Sequence, residues 1–152
     1  MALKPDNHII LDDISFFMNV TAEKGVLVIH DGTGSGAAMD QAESYVSVPT
    51  GQNPSSVRPA GLLLTDVVDY DLTRQHINWH KDEVQKNGKV RILRKGIVVT
   101  DKVSGAPLAG SQAYYTSTGL LTPTDAGSCP SVGRFLSKKD EDGFVKVDID
   151  IN

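Results

Sequence analysis

The chain has 152 residues, 39% of them hydrophobic and 22% charged, with a formal net charge of −4. That length suits one domain with a sizeable core. The acidic balance weighs against an electrostatic nucleic-acid binder, which would carry a basic excess or a basic face. Arg91, Arg94 and Lys95 do cluster, but Asp82, Glu83 and Asp101 flank them, the pattern of a solvated mixed face. The one cysteine, Cys129, excludes an intrachain disulfide and fits a reducing compartment. No basic start leads into an apolar leader stretch, and no apolar run nears the ~20 residues that a bilayer span needs. The expectation is a soluble protein made in the cytoplasm, with neither a nucleic acid nor a membrane as partner.

Residues 1–11 hold Pro5 and little pattern, and read as an extended N-terminal arm before a β-rich domain over 12–152. Asp12 to Val20 is a short apolar segment, and Gly25 to His30 a buried strand by its β-branched content. Asp31 to Asp40 is a glycine-rich loop, followed by a candidate short helix from Ala37 to Glu43 and an alternating strand, Tyr45 to Val48, that stops at Pro49. Residues 50–59 form a loop by composition. Gly61 to Asp71 reads as a bent strand or strand pair, and Asp71 to Lys86 as irregular.

Asn87-Gly88 is a hairpin signal between Val84 and the strand Lys89 to Leu93. Ile97 to Thr100 and Ala113 to Thr116 are further strand segments. At the C-terminus, Val132 to Leu136 and Val145 to Ile151 read as two strands joined by a charged turn closing on Asp142-Gly143. Val145, Val147, Ile149 and Ile151 alternate there with Lys146, Asp148 and Asp150, which places the apolar residues on one face. Turn signals recur about every ten residues and long helical periodicity is absent. This is the pattern of a mainly β fold, an antiparallel sandwich or barrel with at most one or two short helices.

Four segments are weighed for chemistry. Gly32-Thr33-Gly34-Ser35-Gly36-Ala37 follows a strand and can be written G-x-G-x-x-A, as in dinucleotide sites where glycines let the backbone approach a pyrophosphate. The following strand ends in Pro49-Thr50 without an acid for the ribose, and the loop has no P-loop lysine. His76 and His80 stand four apart, as zinc ligands do on a helix, but lack the glutamate beside the first histidine. Asp140-Glu141-Asp142 lacks the ligand spacing of a calcium loop and fits a charged turn. Cys129 lies beside Pro130 in a loop with nothing nearby to mark it as a nucleophile. The expectation is a non-enzymatic protein without cofactor or metal. The alternatives are a nucleotide- or metal-dependent enzyme using Gly32–Gly36 or His76/His80, and a ligand- or carbohydrate-binding β domain, to which an aromatic content of 6% gives little support.

From about Asp66 onward the chain resembles the head decoration (cement) proteins of tailed bacteriophages. The resemblance lies in Asp69-Tyr70-Asp71-Leu72-Thr73, in Asn87-Gly88-Lys89-Val90 through Lys95-Gly96-Ile97-Val98-Val99-Thr100, and in Val132-Gly133-Arg134-Phe135-Leu136 with Asp142-Gly143-Phe144-Val145-Lys146-Val147. It covers about half of the chain and consists of strands and turns. It implies a structural virion protein on the capsid exterior that stabilises the shell by bridging major capsid subunits, and that assembles with copies of itself as a trimer. An arm with free backbone groups could then add a strand to a capsid subunit, and weak contacts repeated over a shell become strong together. On this reading Leu3, Pro5, His8 and Ile9 of the arm, with Trp79, Arg91 and Arg94, are the candidate contacts, since tryptophan and arginine are enriched among interface hot spots.

Overall fold

The computed structural model describes residues 2–4, 7–32, 45–51, 53–66 and 82–151. They form a mostly β structure whose strands are β1 (His8–Met18), β2 (Ala22–Glu23), β3 (Leu27–His30), β4 (Tyr45–Ser47), β5 (Pro59–Asp66), β6 (Glu83–Val84), β7 (Lys89–Thr100), β8 (Gln112–Tyr115), β9 (Leu121–Thr122), β10 (Gly133–Phe135) and β11 (Val145–Asp150). A single 3-10 turn, Pro54–Ser56, is the helical element among the described residues. All strands except the β2–β6 pair belong to one sheet of order β1-β4-β3-β5-β7-β11-β10-β8-β9. β1 and β4 are parallel, which makes the sheet mixed; its other strand pairings are antiparallel.

β7 organises the molecule. One edge pairs with β5 through Val90–Leu93 and then with β11 through Lys95–Thr100, while the other edge runs along β1. The β1–β7 pairing closes β1-β4-β3-β5-β7 into a ring. Met18, Val28, Val46, Leu63, Val90 and Ile92, drawn from all five ring strands, make one buried cluster. A second, larger cluster joins Leu27, Leu62 and Leu93 from the other face of β3, β5 and β7 to Tyr115, Phe135, Val147 and Ile149 from β8, β10 and β11. Three ring strands are therefore buried on both faces. That is why Val26 to Ile29 and Leu62 to Leu64 are unbroken apolar runs, where a half-exposed strand would alternate.

The C-terminal pair forms as its alternation predicts. Phe135 pairs with Val147, and Val145, Val147, Ile149 and Ile151 are buried while Lys146 and Asp150 face solvent. The connection is longer than a two-residue turn. Residues 136–144 link the strands, and the Asp140 carboxylate accepts the Asp142 and Phe144 N–H groups at 3.0 and 2.7 Å, with Gly143 at a φ of +86°.

The Asn87-Gly88 turn forms too, but it does not join a hairpin. β6 pairs with β2 instead of β7, and the turn backbone binds the end of β1: Asn87 N–H donates to Met18 O at 2.7 Å, and Met18 N–H to Gly88 O at 3.0 Å. The two segments on either side of Gly96 are one twelve-residue strand. The proposed 37–43 helix lies outside the described residues, as do the second part of the 61–71 segment and most of the 71–86 stretch.

Candidate partner-binding surface

Successive residues of a strand point to opposite faces, so Ile9, Ile10 and Leu11 cannot all be buried by one core. Ile9 packs against the larger cluster. Ile10, Leu11 and Ile14 stay 67%, 43% and 50% exposed. Phe16 turns inward against the smaller cluster and meets the His30 ring edge-on at 5.3 Å. β1 is paired with β7 along its length but with β4 only at Phe17 and Met18. Over His8–Phe16 its second edge has no strand beside it among the described residues. Register shifts after Ile9, Leu11 and Asp13 break the β1–β7 ladder into short stretches, a device by which natural sheets deter further edge pairing.

The charges beside this row are answered locally. Asp12 is ion-paired with Arg91 across the β1–β7 ladder. The Asp13 carboxylate accepts the Ser15 N–H at 2.7 Å and borders a cleft of about 150 Å³ with Phe16, His30, Ala60 and Arg94. Arg94 also receives the C-terminal strand through its carbonyl, which accepts the Ile151 N–H at 2.9 Å.

The first residues lie on the protein itself. Leu3 bridges Thr100, the Lys4 N–H donates to Val99 O at 3.0 Å, and Leu3 packs on the larger cluster. His8 is exposed opposite Ile97. Thus Leu3, His8, Ile9, Arg91 and Arg94 are brought together on β7 and the segment running along it, although they are far apart in sequence. Leu3 and Ile9 face the core and Arg91 is occupied by Asp12, so these three have less to offer a partner than their residue types imply. Pro5 and Trp79 lie outside the described residues. The exposed Ile10, Leu11 and Ile14 were not among the residues that sequence reasoning selected, yet three consecutive apolar residues entering a strand signal that at least one points outward.

Two other places hold polar groups near apolar surface. An open groove of about 380 Å³ lies between Val20, Ala22, Val26, Val48 and Leu120, with Lys102 at its edge. Lys102 is ion-paired with Glu23, which holds the ammonium pKa above its ordinary value against the opposing effect of burial. Deep in the larger cluster the Tyr115 hydroxyl donates to Pro54 O at 2.8 Å, with Val57 O at 3.2 Å. Burial pushes the pKa of both Tyr115 and the neighbouring Cys129 thiol upward, so Cys129 is a packed apolar group and not an activated thiolate. Residues 33–37 of the glycine-rich loop and both His76 and His80 lie outside the described residues. No family model matches the chain. No curated protein matches it either.

Proposed function

We propose that the chain is a structural virion protein that binds the outer surface of an icosahedral phage capsid and stabilises the shell by bridging major capsid subunits, with copies of itself as further partners. One observation carries this reading. The described segments that resemble head decoration proteins, 87–100, 132–136 and 142–147, are not scattered over the molecule. They supply β7, β10 and β11, which are neighbours in the order β7-β11-β10. The resemblance thus follows one continuous piece of sheet, packed on one core by Val98, Phe135, Val145 and Val147. Polar groups around that sheet are used for structure: Lys95 pairs with Asp150 at 3.3 Å, and Lys4 with Asp140. A continuous sheet packed on one core, with exposed apolar side chains on the neighbouring β1, suits a role exercised by surface burial.

The test is cosedimentation of the purified protein with undecorated heads of the phage that encodes it. Saturation at a fixed number of copies per shell, with a raised disruption temperature of the heads, is the expected result. Failure to cosediment at saturating protein defeats the reading.

A further inference from the structure

We propose that Asn87, independently of any capsid role, is a site of spontaneous covalent modification in the folded protein: it loses its side-chain amide as ammonia to ring closure by the Gly88 nitrogen, and the ring opens to aspartate or isoaspartate. The chain has six asparagines, and Asn87 alone is followed by glycine. Ring closure needs the next backbone nitrogen to reach the asparagine side-chain carbon, and glycine has no Cβ in the way. Asn53 precedes Pro54, whose nitrogen has no proton to give up, and its side-chain oxygen accepts the Ser55 N–H at 3.2 Å. Asn19 precedes the β-branched Val20 and donates its amide to the Asp31 carboxylate at 2.5 Å. Asn87 is exposed, in the left-handed region at a φ of +65°, and its amide oxygen meets the Tyr45 hydroxyl at 3.5 Å, the outer limit of a hydrogen bond.

The step balances with water alone. The Gly88 nitrogen gives up its proton and bonds to Asn87 Cγ; the Cγ–Nδ2 bond breaks, and the departing nitrogen takes up protons and leaves as ammonia. Water then adds to one of the two ring carbonyls. Cleavage of the ring bond at Cγ restores the main chain with an aspartate side chain. Cleavage at the Asn87 carbonyl carbon leaves the chain running through the former side chain, as isoaspartate. The Gly88 N–H that must be freed donates to Gln85 O at 3.2 Å, a longer bond than the two by which the turn holds β1.

Those two bonds give the modification its consequence. Asn87 N–H donates to Met18 O at 2.7 Å, and Met18 N–H donates to Gly88 O at 3.0 Å. Aspartate keeps this backbone clasp and adds a negative charge. Isoaspartate inserts a methylene into the main chain between the two bonding groups, so they no longer match Met18. Met18 is fully buried and is also where β1 pairs with Val46 of β4, so isoaspartate releases the end of β1.

The experiment ages the folded protein for weeks at neutral and at mildly alkaline pH and maps the products by digestion and mass spectrometry. Isoaspartate is counted by methyl transfer from S-adenosylmethionine with an isoaspartyl methyltransferase. Conversion is expected at Asn87 before any other asparagine, at a rate that rises in proportion to hydroxide. Asn87→Gly, which suits a positive φ, should fold as wild type does and lose the main isoaspartate signal. Conversion of Asn87 only in urea, conversion first at another asparagine, or a signal that persists in Asn87→Gly overturns the proposal.

Hydrogen exchange then separates the two products. Freshly prepared Asn87→Asp should protect the Met18 amide as wild type does, whereas the isoaspartate fraction of aged protein should exchange it faster and melt earlier. An isoaspartate fraction with wild-type exchange at Met18 overturns the release of β1.

Discussion

The Lys4 ammonium lies 3.3 Å from the Asp140 carboxylate and 4.4 Å from the centroid of the Phe144 ring. This fastens the first residues of the chain to the loop between β10 and β11, which is 136 positions away in sequence. The loop is built to receive it. Asp140 accepts two backbone N–H groups with one oxygen and offers the other to Lys4, and the ring that Asp140 positions through the Phe144 N–H is the one that Lys4 covers.

The pKa of Asp140 is accordingly depressed, first by the Phe144 N–H and then by Lys4. A carboxylate whose pKa is lower when folded contributes stability above its unfolded value of about 3.9 and loses it as pH falls through the folded pKa. An NMR titration should therefore place the Asp140 carboxyl below the ordinary aspartate range. Asp140→Ala should melt earlier than wild type at pH 7, with the gap closing in strong acid. A gap that persists unchanged below the folded-state pKa would show that the loss comes from loop packing and not from the carboxylate.

Tyr115 is fully buried, and its hydroxyl donates to backbone carbonyls of the 3-10 turn region at Pro54 and Val57. Tyr115→Phe keeps the ring and removes the donor, leaving two carbonyls without it. Urea unfolding should show a loss of about 1–3 kcal/mol, the cost of stranding buried polar groups. The 53–57 segment should exchange its amides faster. An unchanged midpoint would mean that water or another donor replaces the hydroxyl.

β5 permits a direct test of two-sided burial. Leu62 faces the larger cluster and Leu63 the smaller one, and both are fully buried. Leu62→Ala and Leu63→Ala should each cost about 2–5 kcal/mol. A strand with one solvated face would tolerate one of the two, and a near-neutral result for either would break the two-cluster description.

Much of this was legible because each strand signal reflects the face that it buries. Val145 to Ile151 alternates and has one wet face; Leu62 to Leu64 does not alternate and has none. Pairing was harder to read than strand position. Asn87-Gly88 announces a turn correctly, but turn chemistry is local and cannot say that Val84 pairs with Ala22 while β7 leaves with β1. The exposed isoleucines of β1 were hard to read for a similar reason: residue type marks a tryptophan or an arginine as a candidate contact, whereas the exposure of Ile10 and Ile14 depends on where β7 lies and on the register shifts between the two strands. Arg91, selected by type, is occupied by Asp12, a partner 79 positions away.

Gly96 shows the same limit and yields the sharpest prediction. In sequence it separates two apolar segments. In the structure β7 passes through it without interruption, at the place where β7 has left β5 for β11 and where β1 crosses closest. Its φ is +150°, and a Cβ there would fall inside contact distance of the His8 carbonyl oxygen and 3.2 Å from the Ile9 Cα. An isolated glycine within a strand marks close backbone approach, and here the approaching backbone is the start of β1. Gly96→Ala must either strain β7, at a cost of about 1–3 kcal/mol, or push His8 and Ile9 away. Both responses loosen the half of β1 that carries Ile10 and Leu11. The expected outcome is a lower melting temperature together with faster amide exchange confined first to residues 8–11. If amide exchange in 8–11 matches wild type while stability drops, the strain is held within β7 and the β1–β7 contact at Gly96 is not what holds the start of β1.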